Sequence, residues 1–503
     1  MSRRVLGWVV PLVLTSLFLP ISALAAAKTA GDAPELIVAD ATAPPPVLDP
    51  FRVYGTQAQS LFRLVFDPLF DRDPDGRIRT PLLERWGPVD RLAWEFRLRP
   101  GIRFHDGGEL TAADVVFSLE RILDPSSPRR TEFSDIASVV AVDPLTVRIT
   151  LKRPYALLPA RLSQFSMILP DRLRGRSEAD FFKEPIGLGP YRLSELNEQQ
   201  AVLTAFSEYH GGAPKIPRVV FQFIADPDER LRRLISGDID IVTNLLPQQV
   251  DALLHAKGVR LVKRNSVRFM DVFIDSRRGP LARVEVRRAL LYATDVEGLV
   301  RYIARGNGRP IATVTLPEDF GFNAALKPYA FDPVKARALL TDAGYPSGIQ
   351  LKGLATHDTQ LLATALAQQW GKIGVKVDLT VEGRAPAMSR WIKERDQFSL
   401  LVLDPTSIIF DAAFQLRLHL DPTHPMARLA HPRTLELLNK ADSEQDSAAR
   451  AALLREIQTI AYEQALTIPI YQVIDLYGVR DSVIDFEPSA DTILRLGGVG
   501  LQR

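Results

Sequence analysis

His105 and Asp106 stand side by side in the stretch FHDGGELTAADVVFSLERILDP, Phe104 to Pro125, just before the pair Gly107-Gly108. A histidine beside a carboxylate is equipment for general acid–base catalysis, and paired glycines let a backbone come close to a ligand. Catalysis also needs a third group and a pocket. The chain has no GxSxG nucleophile motif. Neighbouring residues of a strand point to opposite faces, so the dipeptide alone is not a dyad. A structural role explains more of the residues. Thr111 is placed to cap a helix starting at Ala112, with Asp114 at the third helical position as in a capping box. Leu110 and Val115 fall at staple positions, and the two glycines turn the chain from strand to helix.

Other chemistries find little support. GLGPY, Gly187 to Tyr191, lacks the GxGxxG spacing, and Pro190 removes an amide that an anion would use. GYPSG, Gly344 to Gly348, has no Lys-Ser/Thr, so no nucleotide site is expected. The chain has no Cys, which excludes disulfides, thiolate metal sites, Cys nucleophiles and a lipid-modified N-terminal Cys. Its seven His form no HExxH or HxH pair, so zinc is not expected and no cofactor is implied. The 62 basic and 60 acidic residues are spread along the chain, which points away from nucleic acid and from anionic membranes.

The elements that must position any site follow from periodicity. AWEFRLRPGIRF alternates Trp94, Phe96 and Leu98 with Glu95, Arg97 and Arg99, a half-buried strand ended by Pro100-Gly101. Residues 145–151 repeat the pattern, and GLGPYRL with AVLTAF reads as a strand pair. Residues 218–242 read strand, turn, helix, strand, with Asp226 as cap, Pro227 at the first helical position and Gly237 as stop, an order that favours parallel pairing. From Val284 the pattern becomes more helical. At 503 residues, two or three domains are expected, of α/β class. The N-terminus, MSRRVLGWVVPLVLTSLFLPISALAAAKTA, has Arg3 and Arg4, an apolar run from Val5 to Leu19 and then small residues. That is the order of a secretory signal peptide, with cleavage after Ala25 or Ala27 fitting equally, and it implies export.

WEFRLRPGIRFHDGGELTAADVVFSLERILDP, Trp94 to Pro125, resembles the signature of family 5 extracellular solute-binding proteins, the peptide- and nickel-type receptors of ABC importers. Further blocks follow in family order: GLGPYRL, with Leu188 where Thr is usual, then RVVFQFIADPDERLRRLISGDIDIV, VEVRRALLYATDVEGLV, FDPVKARALLTDAGYPSG and EIQTIAYEQALTIPIY. The resemblance implies a periplasmic-binding-protein-like α/β fold with two lobes, a hinge and a ligand cleft between them. Residues 1–27 would be the signal peptide. Residues 28–75, 185–266 and 475–503 would form lobe one, 76–184 an inserted subdomain, and 267–474 lobe two. Strands near Val267–Ile274 and Thr467–Ile474 would form the hinge. The implied function is capture of a short peptide or similar amphiphilic molecule in the periplasm and delivery to membrane permease subunits, by a monomer that is not lipid-anchored and catalyses nothing. An exported receptor serving a sensor or chaperone partner would share these features; an exported hydrolase would need a nucleophile or metal that the sequence does not offer.

In family peptide receptors, a Trp and an acidic DP segment take the ligand's amino group. The corresponding stretch is LLVLDPTSIIFDAAFQL, without the Trp. The resemblance leaves Asp411 and Asp404 as alternative carboxylates, Asp411 lying nearer the expected place. Arg384, after a strand end, offers a bidentate fork for a ligand carboxylate. Asn244 follows the strand IDIV, where polar residues of open α/β sheets face ligand crevices. Tyr54 and Trp391 are amphipathic aromatics able to line a cleft.

Overall fold

Two long strands, Val259–Ile274 and Ile468–Arg480, cross side by side at the centre of the protein and join everything else. The structure is a computed structural model and describes residues 34–502, apart from 43, 45, 46, 53–55 and 430. The basic-apolar leader and Tyr54 lie outside the described residues. Among these, no helix is long and apolar enough to cross a membrane.

The crossing strands sit within one sheet. Its order is 375–382, 349–356, 400–403, 259–274, 468–480, 241–242, 35–40, 218–223, 200–205 and 191–196, with Gly308–Pro310 added along 468–480. On one side Ile349–Thr356 runs parallel to both Val375–Glu382 and Leu400–Leu403. On the other side Glu35–Asp40 runs parallel to both Arg218–Phe223 and Ile241–Val242. Each parallel set forms a βα core, and the antiparallel crossing pair links the two.

The strand–helix–strand unit 218–242 forms with its caps in place. The Asp226 carboxylate accepts from the Asp228 and Glu229 N–H groups, and Gly237 takes φ 94 at the C-terminus. Its two strands are parallel but not neighbours, because Glu35–Asp40 inserts between them.

A separate four-stranded antiparallel sheet, ordered 83–88, 93–98, 146–151, 136–143, lies within residues 76–184. Phe96 and Leu98 are fully buried, each contributing about 2 kcal/mol of burial. The outward Glu95 and Arg97 are paired across strands, with Arg148 donating to Glu95 (2.9 Å) and Arg97 to Glu84 (3.1 Å). This sheet shares one apolar core with Leu36, Val38, Val219 and Phe221 of the large sheet. A second core, around Val272, Leu290, Leu366 and Trp370, underlies 349–382. A third gathers the helices from Ala412 to Glu463.

The stretch around His105 is a turn rather than a strand: the Gly107 N–H donates to Phe104 O, with Gly107 at φ 87. Asp114 accepts from both the Thr111 N–H (2.7 Å) and the Thr111 hydroxyl (2.8 Å), which fixes the start of helix Ala112–Leu123. The His105 ring is buried and bonded at both nitrogens to one loop. Nε2–H donates to Gly189 O (2.9 Å), and Nδ1 accepts from the Gly187 N–H (3.3 Å). A Cβ on Gly187 or Gly189 would meet Val65 O or Leu64 O at 1.9 or 2.5 Å, so only glycine allows this approach. Asp106 faces away and pairs with Arg172. His105 therefore stitches the FHDGG turn to the GLGPY loop.

Candidate functional site

The C-terminal ends of both parallel sets point at the middle of the crossing strands. On one side Val242 pairs with Gly478, and the chain runs on toward Leu476, whose carbonyl accepts from the Leu245 N–H. On the other, Leu403 pairs with Asp271, and the chain runs on to Pro405, whose carbonyl accepts from the Phe269 N–H. Between these ends the crossing strands lose register, from Asn265 to Phe269. Ligands of open α/β sheets bind in such crevices beyond strand ends, and the irregular stretch frees side chains to turn into it.

Four charges meet there. Arg268, inside the irregular stretch, donates to Asp475 Oδ1 (3.0 Å) and lies 3.9 Å from Asp404 Oδ2. Arg384 pairs with Asp404 through one nitrogen, and its other reaches the Asp404 carbonyl (3.4 Å). Asp404 follows the buried strand Leu400–Leu403, and Arg384 opens helix Arg384–Lys393 directly after strand Val375–Glu382. The two arginines and two aspartates cancel in sum. Asp404 is nearly buried, whereas the Arg384 side chain is 43% exposed. Asp475 Oδ2 is buried and unpartnered, which is costly unless something arrives to use it. Burial is the largest single effect on Arg268 and lowers its pKa, but the Asp475 and Asp404 charges with the Asp475 hydrogen bond together outweigh it and hold the guanidinium above its ordinary value.

The facing side is polar and held in place. Asp40 ends its strand and accepts from the Thr243 hydroxyl (2.8 Å); burial raises its carboxyl pKa. Asn244 adopts φ 51, uncommon outside glycine. Its carbonyl accepts from Arg230 (3.2 Å), which also binds Ile224 O (2.6 Å), so the strand end is clamped.

The sequence candidates separate. Arg384 and Asp404 come together in the cluster, and Asn244 stands at the strand end opposite. Asp411 does not join them. It caps helix Ala412–Leu420 through the Ala413 N–H (3.0 Å) and is held by Arg450 in a bidentate pair (2.6 and 2.9 Å). Both partners are almost completely buried, so this carboxylate is already committed. Trp391 is also corrected: it is 0% exposed, donates to Met426 O (2.8 Å), and is stacked by Arg428 at 3.6 Å. A side chain so enclosed is a core residue. Arg268 and Asp475 were not anticipated. Nothing in the sequence sets Arg268 apart, because Val259–Ile274 also carries Arg260, Lys263, Arg264 and Asp271.

The chain matches the family model described as bacterial extracellular solute-binding proteins, family 5 Middle, over residues 78–426. It is 30% identical over 343 residues to the glutathione-binding protein GsiB of Escherichia coli O1:K1, covering 66% of this chain and 67% of that one. Among solved structures, HbpA2 of Haemophilus parasuis superposes with TM-score 0.84 at 24% identity, over 93% of this chain and 100% of the other. AgaA of A. tumefaciens R10, solved with agropinic acid, superposes with TM-score 0.78 at 26% identity, over 93% and 99%.

Proposed function

The chain belongs to the family 5 bacterial extracellular solute-binding proteins, and we propose that it captures a zwitterionic solute of short-peptide size at the Arg268–Asp404–Arg384–Asp475 cluster. The observation that carries this reading is that the four charges neutralise one another where strands Val375–Glu382 and Leu400–Leu403 end beside the crossing pair. A ligand ammonium can take Arg384's place on Asp404, and a ligand carboxylate can take the freed Arg384 fork. Exchange of this kind costs little, because the site trades one set of charge-assisted bonds for another. A relative described as a glutathione-binding protein is named for a molecule that carries both a free ammonium and free carboxylates.

We assign residues 28–75, 185–266 and 475–503 to lobe one, 76–184 to an inserted subdomain and 267–474 to lobe two, with the crossing strands as hinge. The separate apolar cores on the two sides support the split between lobe one and lobe two. Ligand contact with both lobes would favour the closed form, as differential binding requires. The protein would act in the periplasm after loss of its leader, without a lipid anchor, as a monomer delivering solute to ABC permease subunits and catalysing nothing. His105, bonded at both nitrogens within the fold, is consistent with that last point.

The test is a thermal-shift screen with glutathione, dipeptides to pentapeptides and sugar–amino acid conjugates. A cognate zwitterion raises the melting temperature with concentration, and its N-acetylated form does not. A response to neutral sugars alone would overturn the reading.

A further inference from the structure

A cavity of about 790 Å³ lies between the four-stranded sheet and the helical part of residues 318–450. It shares no lining residue with the four-charge cluster. Its size falls within the range that holds small organic ligands. Trp86 and Trp94 form one wall, stacked at 6.0 Å and 17°, with Phe70 set edge-on to Trp86 at 4.9 Å. Phe320 and Phe410 line the opposite side. Trp86 is 40% exposed and Phe320 37%, a large amount of aromatic surface left open. Phe410 is held at φ 53, an outlier for an aromatic residue, with its ring packed so closely that a Cβ on Gly76 would lie 2.1 Å from it.

The charges in this cavity are not balanced. Asp75, Glu318, Asp319, Asp411 and Glu444 face Arg72, Arg77 and Arg450, five acids against three bases. Two of the acids are already paired: Asp411 is locked to Arg450, and Asp75 is held by Arg264 (2.7 Å) and Arg77 (3.5 Å). Arg72 donates to Gly76 O (2.6 Å) and Ile409 O (2.7 Å), which leaves Glu318, Asp319 and Glu444 as the acids of this lining without an ion-pair partner among the described residues. Among the described residues, Glu318 meets Gln472 through one oxygen (2.8 Å) and no cation. Asp319 holds the Ser407 hydroxyl (2.7 Å) and the Leu316 N–H (2.8 Å), again with no cation among the described residues. Burial first, then the nearby Asp411 and Glu318 charges, push its carboxyl pKa up to about 7. A cation bound beside it would relieve that repulsion.

We propose that this cavity is a second ligand site, which takes a protonated organic amine carrying an aromatic or similarly broad apolar body. The ammonium sits against Glu318 and Asp319, and the body lies on Trp86 and Trp94, where the ring faces attract cations and bury apolar area. Since residues from both sides line the cavity, an occupant bridges them and favours the arrangement in which they meet.

Tryptophan fluorescence tests this directly. Trp370 and Trp391 are fully buried, so Trp86 and Trp94 are the reporters at the cavity. The probe is 2-phenylethylamine, cationic at pH 7.5, compared with 3-phenylpropionate, its anionic counterpart. Saturable quenching by the amine is expected, with the anion at least about tenfold weaker. Glu318→Gln is expected to weaken the amine about tenfold, and Trp86→Phe to reduce the quenching. Asp404→Asn, which removes the proposed anchor of the first site, leaves this binding intact. Equal binding of amine and anion, no saturable quenching, or binding lost in Asp404→Asn but kept in Glu318→Gln would each overturn the proposal. The last result would place the amine at the strand-end cluster, so failure of one site is distinguishable from failure of the other.

Discussion

Replacing His105 by Gln removes a titrating ring while keeping one donor and one acceptor at the same place. Burial above all pushes the His105 pKa from its ordinary 6.5 down to about 4. The bonding explains the direction, since protonating Nδ1 would set one N–H against that of Gly187. Above pH 6.5 the ring is neutral in both the folded and unfolded chain and contributes no pH dependence. Below 6.5 the unfolded chain binds a proton that the folded one refuses, so stability is lost as pH falls, until about pH 4. The loss is about 2 kcal/mol by pH 5 and about 3 kcal/mol by pH 4. Glutamine has no such term. At pH 7.5, His105→Gln is expected to be less stable by about 1–2 kcal/mol through poorer hydrogen-bond geometry. At pH 5 that deficit should shrink by about 2 kcal/mol and vanish or reverse. Urea unfolding followed by circular dichroism at pH 7.5, 6 and 5 measures it, as the difference between variant and parent. A deficit constant with pH would refute the buried neutral ring.

Asp319 titrates in the opposite sense. Its carboxyl pKa is raised from 3.8 to about 7, so its stability contribution is lost as pH rises through 7. Asp319→Asn should gain on the parent by up to about 4 kcal/mol between pH 4 and pH 8, by the same unfolding assay. Asp411→Ala leaves Arg450 buried without its partner and is expected to cost about 3–5 kcal/mol of stability, while affinity at the strand-end cluster is unchanged. Trp391→Ala opens a core cavity and strips the cover from Arg428, for a loss of about 3–5 kcal/mol with ligand affinity retained in the folded fraction.

What could be read from the sequence was what forms locally. The Asp226, Pro227 and Gly237 signals mark helix Pro227–Ser236 to the residue, and Thr111 with Asp114 mark the start of Ala112–Leu123, because caps depend on neighbours a few residues away. The alternation of Trp94, Phe96 and Leu98 gave the strand and its buried face. Pairings set by distant chain were hidden. Nothing near 218–242 signals that Glu35–Asp40 enters between its strands. Asp411 reads as a free helix-start carboxylate until Arg450, 39 residues on, is folded against it. Trp391 reads as an amphipathic aromatic until Met426 and Arg428 close over it. Arg384 and Asp404 could each be named, but their meeting with Arg268 and Asp475 depends on how the crossing strands lose register.

The central claim is that Asp404 receives a ligand ammonium and Arg384 a ligand carboxylate. Calorimetric titration of one zwitterionic peptide ligand into the parent, Asp404→Asn and Arg384→Gln, repeated with the N-acetylated and C-amidated peptides, tests it. Asp404→Asn should lose about 2–4 kcal/mol toward the free peptide and little further toward the acetylated one, and Arg384→Gln should show the same pattern for the amidated peptide. Losses from mutation and from ligand modification that simply add would contradict the account, because they would show that these side chains and those ligand ends never meet.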